Sequence, residues 1–151
     1  MISKMKIRKG NLKDSKELYS LLNDNYELRG DSEGEAYSKN WIKEVVSDKK
    51  RNLVLIAEEN EKIIGFLIAH ILPDKDYFLN DIYVKPEYRL KGVGSKLFYY
   101  YDKLASFPRS KLNISFTMTS NKKMHNLLNN IIIRKVTPFT IITRRENEPD
   151  N

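Results

Sequence analysis

Cysteine does not occur anywhere in the 151 residues. Its absence excludes disulfides, thiolate metal ligands and any reaction through a covalent cysteine intermediate. Histidine is scarce as well. His70 and His125 each stand without an Asp or Glu at ligand spacing, so no metal site is expected. His70 reads as a satisfied core or edge residue of a strand, and His125 as part of an exposed helix. Nor is there an apolar run long enough to cross a bilayer, since Ile63 to Leu72 is broken by Gly65 and His70. The start of the chain, MISKMKIRKG, lacks the apolar stretch of a secretory signal, and a cytoplasmic location is the expectation. Internal repeats, low-complexity tracts and linkers are also missing, and no tyrosine follows Tyr101.

What remains is an ordinary globular composition, with enough apolar residues for a real core in one domain. The expected domain spans residues 1–145, followed by a polar tail over 146–151. Charge is unevenly spread. Residues 1–80 hold 14 basic and 14 acidic side chains, while residues 81–151 hold 13 and 6, so the whole net charge of +7 sits in the second half. A basic half fits either a solvated surface or a polyanionic partner, such as nucleic acid or a phosphorylated small molecule.

Periodicity sets out the elements. Met5 to Arg8 reads as a short first strand. Asp14-Ser15-Lys16-Glu17 has the form of a capping box, ahead of a helix with Leu18, Leu21 and Leu22 on one face. Tyr26 to Glu35, YELRGDSEGE, reads as an acidic loop, and Ala36 to Asp48 as a second helix with Trp41, Ile42, Val45 and Val46 inward. Leu53 to Glu58 and Ile63 to Leu72 form a hairpin through Glu59-Asn60-Glu61-Lys62, and Tyr77 to Val84 is a further strand. A helix follows Gly94, then a strand over Leu112 to Met118, a helix near Lys122 to Asn130 and a last strand around Val136 to Thr143. The order β-α-α-β-β-β-α-β-α-β gives an α/β fold with a single mixed central sheet flanked by helices.

The segment Val84 to Phe98, VKPEYRLKGVGSKLF, carries the chemistry. It reads as a strand end, a Pro-marked turn, a glycine-punctuated loop and the start of an amphipathic helix. Such a loop aims free backbone N–H groups and the positive end of the helix dipole at one point, which suits an anion such as a pyrophosphate. Gly92 and Gly94 allow close backbone approach, and Arg89, Lys91 and Lys96 add positive charge. The spacing fails the GxxxxGK[ST] of a P-loop. It also fails the dinucleotide fingerprint, which needs a third glycine where Leu97 stands and a place behind the first strand.

Arg89-Leu90-Lys91-Gly92-Val93-Gly94 resembles the acetyl-CoA-binding motif Q/R-x-x-G-x-G/A of the GNAT-type N-acetyltransferase superfamily, and Leu79 to Tyr88 resembles the strand and turn that precede it. The element order also matches that family's fold across nearly the whole chain. The resemblance implies acetyl-CoA as cosubstrate and no metal. It places backbone groups of Ile82 and Val84 against the pantetheine arm, in a gap where a bulge splays this strand from the next, parallel one. It sets the N–H groups of Lys91, Gly92, Val93, Gly94 and Ser95 on the pyrophosphate, with Arg89, Leu90 and Lys91 around it, and Asn121 near pantetheine. Where members carry a tyrosine by the sulfur this chain has Leu128, and Ile132-Ile133 replace a Gly-Phe pair.

The implied reaction is attack of a neutral primary amine on the acetyl thioester, in a ternary complex without an acyl-enzyme. An amine with a pKa near 10 needs a proton acceptor. Asp81, a carboxylate in an otherwise apolar strand, is the candidate base, with its pKa raised by burial; the other reading is an Asp that orders a neighbouring loop. The backbone N–H of Ile82 or Tyr83 is the candidate to polarise the thioester carbonyl. Water, Ser120 or a tyrosine from elsewhere would supply a proton to the thiolate. Glu27, Asp31 and Glu33, in the loop that the resemblance sets over the acceptor site, would draw a small cationic amine, a polyamine, a protein lysine or an N-terminus. Two other functions compete. One is a CoA-binding sensor or partner-binding module of the same fold. The other is a nucleic-acid-binding protein using Lys91, Lys96, Lys111, Lys122, Lys123 and Arg134, against which stands the lack of a clustered basic helix. A homodimer is the expected assembly, and no membrane partner is expected.

Overall fold

Two runs, Leu53–Ala57 and Ile63–Ala69, are buried at every position, which is the signature of strands covered on both faces. They belong to β2 (Asn52–Glu59) and β3 (Lys62–Ile71), the centre of a six-stranded sheet in the order β1-β2-β3-β4-β5-β6. The computed structural model describes residues 4–29, 34–105, 113–118, 122–132 and 139–144. β1 (Lys6–Lys9), β2, β3 and β4 (Tyr77–Val84) are mutually antiparallel; β5 (Asn113–Met118) and β6 (Phe139–Arg144) run parallel to their neighbours. The helices are α1 (Ser15–Asp24), α2 (Tyr26–Arg29), α3 (Lys39–Ser47), α4 (Val93–Ala105) and α5 (Lys122–Ile132). The mixed α/β architecture expected from the sequence is the one observed.

The core lies in two layers. On one face α4 brings Val93, Leu97, Phe98 and Tyr101 against Leu55, Leu67 and Leu79. On the other, α1 and α3 bring Leu18, Leu22, Ile42, Val45 and Val46 against Ile56, Phe66, Ile68 and Tyr83. Each fully buried Leu, Ile or Phe contributes roughly 1.5–3 kcal/mol of transfer free energy, so the two faces clamp the sheet with comparable strength.

Several local expectations are corrected by tertiary contacts. The capping box is one turn earlier than the Asp14–Glu17 signature, at Asn11. The Asn11 side chain accepts from Lys13 N at 3.0 Å, and Asp14 Oδ2 accepts from Asn11 N at 2.8 Å, closing a 3₁₀ turn over Leu12–Asp14. Asp14 is drawn away from capping α1 because it faces Arg8, whose Nη1 and Nη2 donate to it at 2.8 and 2.7 Å. The loop expected from Tyr26 contains the helical turn α2 instead. The helix expected from Ala36 starts at Lys39, where Ser38 Oγ accepts from Trp41 N at 3.1 Å. The β2–β3 connection is a tight two-residue turn, with Asn60 and Glu61 at φ 50° and 61°, as a twisted hairpin requires.

Arg8 also reaches Glu58 on β2 (Nε–Oε2 2.7 Å), and Lys6 binds the same carboxylate at 2.7 Å. Asp14 and Glu58 are buried. Burial alone would raise the Asp14 pKa, but the Arg8 hydrogen bonds, Asn11 N–H and the Arg8 charge together bring it below the usual value. Lys6 and then Arg8 lower that of Glu58. Both carboxylates therefore stabilise the fold fully above their unfolded pKa near 4, and that contribution disappears as pH falls through the lowered folded values. Arg8→Leu should cost roughly 2 kcal/mol in urea unfolding at pH 7, because two buried carboxylates lose their partner. The difference from wild type should shrink towards pH 3. A pH-independent difference would mean that lost packing, not charge, is the cause.

Candidate active site

The site is built on one irregularity in β4. Ile68 pairs with Asp81 but Ala69 pairs with Leu79, so Asn80 is an extra residue, a bulge. Side chains alternate along a strand, and one added residue reverses the alternation beyond it. Tyr77 and Leu79 face the α4 layer. Past the bulge, Ile82 and Val84 face that layer, while Asp81 and Tyr83 lie on the side of α1 and α3.

The bulge also coincides with the end of the β4–β5 ladder. Parallel pairing covers Tyr77–Asn113, Phe78–Ile114 and Leu79–Ser115 and stops there. On its other edge β4 stays bound to β3 through Val84, and Lys85 N donates to Ile64 O at 2.9 Å. Gly65 makes this close pairing possible, because a Cβ there would lie 2.7 Å from the Tyr83 carbonyl oxygen. Antiparallel alternation then makes Phe66–Tyr83 and Ile68–Asp81 the hydrogen-bonded pairs. The backbone groups of Tyr83 are thus turned to β3, and those of Ile82 and Val84 to the gap beside β5. Of the two candidate carbonyl donors, the alternation leaves Ile82 and removes Tyr83.

After β4 the chain makes a 3₁₀ turn over Pro86–Tyr88 and enters α4 at Val93. Lys96 N donates to Gly92 O at 3.0 Å, the first bond of the helix. The N–H groups of Val93, Gly94 and Ser95 accordingly have no intrahelical acceptor. Gly92 has φ +81° and open space where a Cβ would stand. The basic side chains of the loop are engaged with the protein. Arg89 Nε donates to Val84 O at 2.8 Å and its guanidinium lies 5.6 Å from the Tyr83 ring centroid. Lys91 Nζ donates to Glu87 O at 2.9 Å. Arg89 therefore ties the loop to the end of β4.

On the opposite face Asp81 is half-buried and accepts from Asn80 Nδ2 at 2.5 Å and from Tyr37 Oη at 3.4 Å. Burial raises its pKa, against the two hydrogen bonds, which lower it. Tyr37 is pushed up to about 12 by burial and by the Asp81 charge, so its hydroxyl stays protonated and donates. Tyr37 is held by buried Asn23. Its Oδ1 accepts from Ala36 N and Tyr37 N at 2.9 and 3.0 Å, and its Nδ2 donates to Tyr37 O at 2.9 Å. Tyr83 Oη donates to Asn25 Oδ1 at 2.9 Å, fixing the end of α1 to β4. Sequence reading missed Tyr37, Asn23 and Asn25. A polar Asn23 directly after Leu22, inside an apolar helical pattern, was the available signal.

Thus Tyr83 and Val84 touch the turn through Arg89, while Asp81 stands on the α1–α3 side. Glu27 is in α2 and Leu128 in α5. Asp31, Glu33, Ser120 and Asn121 lie outside the described residues. Among the described residues no group of three or more His, Asp or Glu side chains could hold a metal, and no helix is long and apolar enough to cross a membrane.

Residues 15–129 match the model of the acetyltransferase (GNAT) family. A curated relative, the uncharacterized N-acetyltransferase YhfO of Bacillus subtilis (strain 168), is 31% identical over 102 residues, which cover 62% of this chain and 65% of that protein. The fold is similar to that of PaiA N-acetyltransferase from Thermoplasma acidophilum in complex with coenzyme A. There the TM-score is 0.59, with 23% identity over 68% of this chain and 72% of that one. It is also similar to AAC(6')-Iy in complex with the bisubstrate analog CoA-S-monomethyl-acetylneamine. That TM-score is 0.69, with 19% identity over 96% of this chain and all (100%) of the other.

Leu90 is fully exposed and has φ +59°, a conformation that costs an L-residue about 1–2 kcal/mol. Leu90→Gly should therefore raise the melting temperature, with a gain of up to about 1 kcal/mol after the entropy of the added glycine is subtracted. A lower melting temperature would show that the Leu90 side chain makes a stabilising contact.

Proposed function

The chain belongs to the GNAT acetyltransferase family, and from that premise we propose that it transfers the acetyl group of acetyl-CoA directly to a primary amine in a ternary complex. The observation that carries this reading is the parting of β4 from β5. It leaves the backbone groups of Ile82 and Val84 unpaired by the sheet, beside a helix N-terminus, with a carboxylate on the reverse face. An amide-bearing arm can pair with such an edge as an added strand, and a pyrophosphate suits the N–H groups of Val93, Gly94 and Ser95. The neighbouring fold of a protein in complex with coenzyme A supports the same assignment.

Acetyl-CoA would supply an electrophilic acetyl carbon and a thiolate leaving group. The chain's residues do the rest. Asp81 takes a proton from the acceptor ammonium, leaving a neutral nitrogen to form the new C–N bond as the C–S bond breaks; the further proton that the nitrogen then loses balances the one the departing thiolate takes up, directly or through water. Its raised pKa makes it a better base than an exposed carboxylate, and the Tyr37 hydroxyl keeps Asp81 Oδ1 oriented. The N–H of Ile82, facing the gap, stabilises charge on the acetyl oxygen. Acceptors in view are small cationic amines, polyamines and protein amines, and one structural neighbour is in complex with the bisubstrate analog CoA-S-monomethyl-acetylneamine.

Gly92→Glu tests the cofactor site away from the core, since nothing lies within 4 Å of the new Cβ, and the φ of +81° makes it cost about 1–2 kcal/mol of local strain. Saturating acetyl-CoA should raise the melting temperature of the wild type, and the variant should lose that rise. An equal rise in both would displace the pyrophosphate from this loop. Asp81→Asn should lower turnover in a thiol-release assay, chiefly below the amine pKa. Because a carboxyl whose folded pKa is raised costs stability as pH climbs past its unfolded value, the same variant should be as stable as wild type at pH 7, or more so. An unchanged pH–rate profile would remove Asp81 as the base.

A further inference from the structure

Four flat rings line the α1–α3 face next to Asp81. Tyr37 and Trp41 are 5.1 Å apart between centroids, Trp41 meets the His70 ring edge-on at 6.3 Å, and His70 stacks on Phe78 at 6.4 Å and 9°. All four are only half-buried, although the aliphatic residues around them are fully covered. A run of rings left partly open, starting at the residue that touches the candidate base, is surface that a substrate can cover.

The wall carries little charge. Asn52 Nδ2 donates to Asp48 O at 3.2 Å, which turns its Oδ1 to His70 Nδ1 at 2.7 Å. The Nδ1 must then carry the proton, and burial lowers the His70 pKa, so the imidazole is neutral. The cleft beyond Trp41 and His70 is rimmed by Glu44 and Arg51, which pair with each other at 3.5 Å. Among the described residues a polycation would find one carboxylate without a cation, Asp81, then neutral rings, then Glu44 and Asp48, both already paired with Arg51.

Resting on the acetyltransferase reading above, we infer that the acceptor is a monoamine on a flat apolar or aromatic body, stacked along Tyr37, Trp41, His70 and Phe78 with its nitrogen at Asp81. Trp41 sets this specificity, since its large face is central to the wall, and a ring stacked there also gains from the amine's charge.

Trp41 is the chain's sole tryptophan, so its fluorescence reports on the cleft directly. Titration with 2-phenylethylamine should change the emission saturably, and butane-1,4-diamine should not. In thiol release with acetyl-CoA, kcat/KM for 2-phenylethylamine should exceed that for the diamine by about tenfold, as expected for one good aromatic contact. Trp41→Leu should collapse that ratio through KM, and Trp41→Phe should restore most of it; the pair separates loss of stacking from loss of fold. Preference for the diamine, or a ratio unmoved in Trp41→Leu, overturns the inference while leaving acetyl transfer standing. Saturable emission change without thiol release from any amine supports the cleft and sinks the transfer reading. Neither response rejects both.

Discussion

Between Leu79 and Asp81 the β4 chain carries one residue more than β3 can pair, and that residue changes what both layers of the protein receive. Were Asn80 paired as a regular strand residue, Asp81 would point with Leu79 towards the largely apolar α4 layer. With the bulge, Asp81 meets Tyr37, and Ile82 and Val84 pack on the α4 side with their backbone turned away from β3, the Val84 carbonyl accepting from Arg89. The same irregularity ends the ladder to β5. A bulge bends and twists its strand, so reversal of facing and loss of pairing are two results of one insertion.

Holding this irregularity takes contacts from both sides of the sheet. Gly65 lets β3 press against the Tyr83–Val84 backbone, and Arg89 ties the Val84 carbonyl to the following turn. On the α1 side, Lys85 reaches Glu17 at 3.4 Å and Tyr83 reaches Asn25 at 2.9 Å. Asn23, satisfied at both ends of its amide, fixes the backbone that presents Tyr37. Part of the cost falls where chemistry is proposed. Asp81 is a half-buried carboxylate without a cation beside it among the described residues, and Leu90 sits at positive φ. Strain and unfavourable burial of this kind persist only where surrounding contacts over-determine them.

Much of this was legible in the chain itself. The apolar runs gave β2 and β3, the Pro–Gly punctuation gave the turn into α4, and the motif from Arg89 to Gly94 gave the family. These signals are local, written within one element or one turn. The clearest misreading has its cause in a contact between distant elements. Asp14 has the form of a helix cap, but Arg8 on β1 claims it. Tyr26–Arg29 is composed like a loop and forms a helical turn. The bulge at Asn80 exists only relative to β3, so the residue pattern of Tyr77–Val84 does not announce it, and its expectation rests on the family resemblance alone. Asp81 could be picked as a carboxylate in an apolar strand, whereas Tyr37, 44 residues earlier, could not be assigned to it without the fold.

The join between the two parts of the sheet rests on three residue pairs, against the longer antiparallel ladders from β1 to β4. A ligand arm lying along Ile82 and Val84 would act as a further strand at the place where the sheet is thinnest. Its binding energy would be added to the cohesion of the molecule as much as to recognition. The abundance of the folded protein would then track the supply of its own cosubstrate, so that a shortage of that metabolite would be felt first as turnover of the protein and only afterwards as a slower reaction.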